Sequence, residues 1–165
     1  MRLLTKTQRA AKTGFTLMEI VLALAVLGTM SAGCYVGFNT VNTYSISSRL
    51  YSEAQAVAQN QIDLILSKGP FDPANGKIPA VLALDSTRGN QPLVTPNVFV
   101  YRDPITGNVA VSGTMTTSIT DAGYTMTYAG ATSNLNVRRA TVTVSYTFRN
   151  TNYAVSINTL RTADL

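Results

Sequence analysis

Few side chains in this chain are equipped for chemistry. Histidine is absent from its 165 residues, and cysteine occurs once, at Cys34. Without an imidazole there is no Ser-His-Asp or Cys-His nucleophile, and the commonest transition-metal ligand is missing. A single thiol forms no intramolecular disulfide and supplies too few ligands for a thiolate zinc site. What remains is one acid in an unusual place: Glu19 opens an apolar run that carries no charge from Ile20 to Ser48. A carboxylate facing hydrocarbon costs about 2.5 to 3.5 kcal/mol on insertion scales, so Glu19 is a functional-site candidate whose partner must be named. The simpler alternative places it at the cytoplasmic interface, snorkelling or protonated.

The element that positions Glu19 is readable from charge and hydropathy. Arg2, Lys6, Arg9 and Lys12 fall within the first 14 residues with no acid among them, so nine basic and eight acidic residues remain for 15–165. The basicity behind the formal charge of +5 therefore sits mostly at the N-terminal tip. Behind the tip, Phe15 to Phe38 is strongly apolar, 24 residues, and at about 1.5 Å per residue this spans a hydrocarbon layer of ~30 Å. The positive-inside rule leaves the basic end in the cytoplasm and exports the rest. A cleaved secretory signal would find small residues at Ser31-Ala32-Gly33, but Glu19 at the mouth of its run is out of character. A lipoprotein signal would use Cys34, yet Ser31 stands where an aliphatic residue is expected.

A basic leader, then Gly14, then Phe15-Thr16-Leu17-Met18-Glu19, then one apolar span, resembles the processing and methylation motif of type IV pilins and type II secretion pseudopilins. The resemblance covers residues 1 to about 40. It implies cutting after Gly14 by a prepilin peptidase/N-methyltransferase, with Phe15 as the new, methylated terminus. The Phe15 amine then becomes the nearest partner for Glu19. Within one chain the two lie about one helical turn apart; between chains the pair would set a register for assembly. The resemblance further implies other pilin or pseudopilin subunits, an inner-membrane assembly platform and membrane lipid as partners. The pattern from Ala54 to Ile65 and the final strand pair resemble a minor pseudopilin of the I type.

No proline precedes Pro70, so one helix of about 53 residues from Phe15 is expected, stopped by Gly69-Pro70. Its second half should bury Leu50, Ala54, Val57, Gln61 and Leu64, flanked by Ile46 and Ile65, and leave Arg49, Glu53, Asn60 and Asp63 outside. Gly28, Gly33 and Gly37 lie in the membrane half, and the last two form a small-xxx-small face for close helix approach or local melting. Strands are expected at Val98–Arg102, at Asn108–Ser112 extending through Ile119, and at Tyr124–Ala129, Arg139–Arg149 and Tyr153–Leu160. Turns are expected at 103–107 and 150–152. In the fourth strand Val142, Val144, Tyr146 and Phe148 should face a core, with Thr141, Thr143, Ser145 and Thr147 opposite. The fold class is therefore α+β, a long N-terminal helix packed on a C-terminal antiparallel sheet. Its segments are a leader (1–14), a transmembrane half-helix (15–38), an amphipathic half-helix (39–68), a connecting region (69–97) with a short helical turn at Ala80–Leu84, and the sheet (98–165).

Other clusters are weaker. Asp63, Asp72, Asp85, Asp103 and Asp121 lack the spacing of a calcium loop. Arg138, Arg139, Arg149 and Arg161 suit a charged strand edge better than a DNA surface. Tyr124, Tyr128, Tyr146 and Tyr153 suggest half-buried packing before a carbohydrate platform. The expectation is a non-enzymatic fibre subunit with no metal or cofactor and without nucleic acid among its partners. Two rivals stay open: a membrane-tethered binding module or adhesin, and a competence-type subunit contacting DNA.

Overall fold

The computed structural model describes residues 14–102, 107 and 109–164. Residues 1–13 of the basic leader, and Asp103–Thr106 with the turn expected there, lie outside the described residues. The chain divides into two compact units, Met1–Tyr44 and Ser45–Leu165. The fold is α+β. Helix α1 runs from Leu17 to Ser67; strands β1 (Leu93–Arg102), β2 (Val109–Asp121), β5 (Val137–Phe148) and β6 (Thr151–Thr162) form an antiparallel sheet in the order β1-β2-β5-β6. Strands β3 (Thr125–Tyr128) and β4 (Ala131–Asn134) form a separate two-stranded ribbon between β2 and β5.

Helix α1 is uninterrupted because nothing in its sequence stops it. Thr16 caps its start, accepting from the Glu19 backbone N–H through Oγ1 at 3.3 Å. Along its length the hydroxyls of Thr29, Ser31, Thr40 and Ser52 donate back to carbonyls three or four residues earlier, which satisfies them without outside partners. In the first unit its apolar side chains are exposed all round, from Leu17 at 82% to Phe38 at 77%.

In the second unit α1 buries Leu50, Ala54, Ala58, Ile62 and Ile65 against the sheet. This corrects the expected stripe beyond Ala54: Val57 and Gln61 are half-buried, and Leu64 and Ile46 are exposed. The contact line is marked by alanines, which are weakly hydrophobic in a pattern count yet fully covered here. Both belong to the same buried cluster as the strand residues. Arg49, Glu53, Asn60 and Asp63 are exposed as expected.

The sheet supplies the other half of the core. On β5, Ala140, Val142, Val144 and Tyr146 are buried and Phe148 is half-buried, while Ser145 and Thr147 are exposed. Across from them β2 contributes Met115 and Ile119, β1 Val100 and β6 Val155. The first strand begins at Leu93, five residues before the expected Val98. Pro96 reads as a break in sequence, but β1 is an edge strand, where a missing N–H is tolerated. The expected strand at Tyr124–Ala129 is part of the ribbon and not of the main sheet, and its partner β4 is an addition. The final turn is Arg149–Asn150, both at positive φ, one residue earlier than expected.

The connecting region is more ordered than its irregular sequence suggests. It holds 3-10 turns at Pro73–Asn75, Ala80–Leu82 and Asp85–Arg88, and it sends Phe71 and Leu82 into the core, both with no exposure. The helical turn expected at Ala80 is therefore one of three among the described residues.

Candidate functional site

The expected assembly residues lie together at the start of α1. Gly14 and Phe15 precede the helix, both exposed, and Glu19 follows in its first turn. Thr16-Leu17-Met18-Glu19 has the Thr-x-x-Glu spacing of a capping box, and its Thr-to-backbone bond is present. The role of Thr16 as helix cap is legible in that spacing, though the pattern is easily read only as part of the longer motif. Phe15, Glu19, Ile20, Ala23, Leu24 and Leu27 line a shallow groove of about 420 Å³ along one side of the helix. Glu19 is its one ionisable member, so the groove pairs a carboxylate with a wholly aliphatic and aromatic floor.

The helix that carries this groove has the length and apolarity to cross a membrane, and it lies near the N-terminus. None of its most apolar window is buried within the chain. Such a segment finds its apolar surroundings in lipid or in other helices. Gly28, Gly33 and Gly37 belong to the same stretch, and no atom lies within 4 Å of the position a Cβ would take on any of them. Their open flanks leave room for the backbone of another helix.

The remaining candidates dissolve into structural roles. Asp85 accepts from Ser118 Oγ at 2.6 Å and from the Ile119 backbone N–H at 3.1 Å, and pairs with Arg88 at 3.1 Å. It thereby ties a 3-10 turn to the part of β2 that extends beyond β1. Asp72 caps its own turn, and the hydrogen bond from the Asn75 side chain holds its carboxyl below the usual value. Asp121 accepts from Gly123 N–H at 2.9 Å, and Asp63 from Gln59 at 3.2 Å. No group of three or more potential metal ligands occurs among the described residues.

Two of the four arginines turn into the fold, while Arg139 and Arg149 are exposed. Arg138 and Arg161 are opposite each other on β5 and β6, and both turn inward over the Phe71 ring, at 5.2 and 6.0 Å. Arg138 donates to the Leu82 carbonyl. Burial pulls its guanidinium below the ordinary value, with Asp121 opposing. Arg161, itself buried, donates to the Ile65 carbonyl at 3.1 Å, to the Leu66 carbonyl, and to both Asp164 oxygens. Asp164 in turn accepts from the Phe71 N–H at 2.8 Å. Arg161 thus serves the orphan carbonyls at the end of α1. Nothing in its sequence position announces this, since its partners lie 95 and 96 residues away. Arg149 sits at the opposite end of β5, 5.6 Å from the Phe148 ring.

The tyrosines likewise separate. Tyr146 and Tyr153 stack at 5.4 Å, the first buried and the second half-buried, whereas Tyr124 and Tyr128 are exposed beside the ribbon and on it. No family model, curated protein or solved structure matches the chain.

Proposed function

We propose that this chain is a structural subunit, of the minor kind, of a type IV pilus or type II secretion pseudopilus. The observation that carries the reading is the pairing of one carboxylate, Glu19, with a helix exposed and apolar on every side, directly after Gly14-Phe15. Prepilin peptidase/N-methyltransferase cuts after Gly14 on the cytoplasmic side. The product is held in the inner membrane by a single span, with its sheet domain exported. It then passes through the assembly platform into a fibre with other pilin or pseudopilin subunits. There the methylated Phe15 amine of one subunit neutralises Glu19 of its neighbour. Glu19 loses its hydrocarbon penalty only when an amine stands at its depth, so the charge pair selects one axial register over others. The open flanks of Gly33 and Gly37 support close helix approach in the same bundle.

The reading is tested on the mature chain and on Glu19→Ala. Mass spectrometry of protein isolated from membranes should find an N-methylated Phe15 terminus. The Glu19→Ala variant should still be cut, while its recovery in sheared fibres falls about ten-fold or more, equivalent to at least 1.4 kcal/mol of assembly free energy. A retained Met1, a start near Cys34, or wild-type fibre incorporation by the variant would overturn it.

A further inference from the structure

The first 3-10 turn of the connecting region ends in a dipeptide that can rearrange without any enzyme. Asn75 is followed by Gly76, and no other asparagine of the chain precedes a glycine. Both residues are exposed. Gly76 closes the turn Pro73–Asn75 at a φ of 71°, and nothing lies within 4 Å of the position its Cβ would take. The side-chain amide carbon of an asparagine lies within reach of the next backbone nitrogen, through a five-membered ring. A glycine at that next position has no side chain to obstruct the closure and the widest choice of backbone angles with which to reach it.

Three hydrogen bonds restrain the approach. Asn75 donates from Nδ2 to Asp72 Oδ2 at 2.5 Å and from its backbone N–H to Asp72 Oδ1 at 3.2 Å. The Gly76 N–H donates to the Pro73 carbonyl at 3.3 Å. Of these the bond to Nδ2 bears most directly on the chemistry. It fixes the rotamer of the amide, and a carboxylate acceptor pushes negative charge toward the carbon that must receive electrons. The same bond holds the Asp72 carboxyl below its usual range, so at neutral pH Asp72 has no proton to give to a departing nitrogen.

We propose that Asn75–Gly76 is a self-modification site, converting to aspartate and isoaspartate through a cyclic imide, and that Asp72 is the positioning residue that holds it back. The Gly76 nitrogen gives its proton to water and attacks Cγ of Asn75. The Cγ–Nδ2 bond breaks, and Nδ2 leaves as ammonia after taking a proton from water. A second water opens the ring at either carbonyl, with no change of oxidation state. The product sets a carboxylate against Asp72 where a donor stood, and the iso linkage adds a methylene to the backbone. Like charges at this distance repel, so the cap of the turn and the bridge between Asp72 and Lys77 should open. None of these steps depends on what the chain assembles with.

Full-length protein aged in micelles at neutral pH tests this, with peptide mapping for isoaspartate at position 75 and a denaturant-unfolded sample run in parallel. Folded Asp72→Ala should convert about ten-fold faster than folded wild type, the factor expected from freeing one exposed charge-assisted bond. In denaturant the two should convert at equal rates, since only the folded turn brings the carboxylate to the amide. Asp72→Asn keeps one acceptor oxygen and should fall between them; it supplies the comparison if Asp72→Ala does not fold. Gly76→Ala should suppress the product in both states. Equal folded rates, a difference that survives denaturant, undiminished product in Gly76→Ala, or no product at Asn75 in any of these proteins overturns the proposal.

Discussion

At Gly113 a hydrogen stands where a methyl group has no room. A Cβ there would lie 2.5 Å from the Ser145 carbonyl oxygen, 3.0 Å from Val100 Cγ2 and 3.3 Å from Tyr146 Cβ. The first of these is backbone in a neighbouring strand, so relief requires shifting β5 and not merely turning a side chain. Gly113→Ala should therefore destabilise the sheet-bearing unit by about 1 to 3 kcal/mol. Thermal unfolding of the full-length protein in micelles measures this, and an unchanged midpoint would remove the argument. In sequence this strand is read over Asn108–Ser112 with an extension through Ile119, and β2 runs through Gly113 to Asp121. Glycine inside a strand pattern marks close backbone approach as well as breaks, and composition alone does not separate the two. Glu19 is the opposite case. A lone charge beside a long uncharged run stands out without any structure.

Helix α1 depends on a strand residue for its final turn. Arg161 serves the Ile65 and Leu66 carbonyls while holding Asp164, which fixes the Phe71 backbone. Arg161→Met keeps much of the buried volume and loses these charge-assisted bonds, at an expected cost of about 1.5 to 3 kcal/mol. Amide hydrogen exchange should accelerate first at Leu64–Lys68; uniform protection there would show that the helix end holds without it. The helix itself is legible from the absence of proline before Pro70, and the strands from the alternation of Val142, Val144 and Tyr146 with Thr143 and Ser145. The line of contact between them is less so. Ala58 and Ile62 take the buried places expected of Gln61 and Leu64, because the stripe advances in steps of four from Leu50 through Ala54 before closing on Ile65. The ribbon is harder still, since its two strands have no buried residue to give a period.

Across the sheet-bearing unit, stability should respond to alkali through Tyr146. Burial pushes its hydroxyl above the ordinary 10.0, with Tyr153 and Tyr51 adding to the rise. The folded state thus keeps a proton that the unfolded chain releases. The resulting stabilisation is complete below pH 10.0 and is lost as pH climbs through the folded value. Denaturant midpoints taken up the alkaline range should fall for wild type and fall less for Tyr146→Phe; parallel profiles would exclude Tyr146 as the source. Sheet order is a property of this scale that the sequence leaves open, because β2 and β5 are neighbours with a whole ribbon inserted between them. The clasp of Arg161 on α1 carries a further consequence, one of timing. Its carbonyl partners precede it by 95 and 96 residues, so a ribosome releases the helix end long before the guanidinium that secures it. During synthesis that last turn stays provisional until the closing strand arrives.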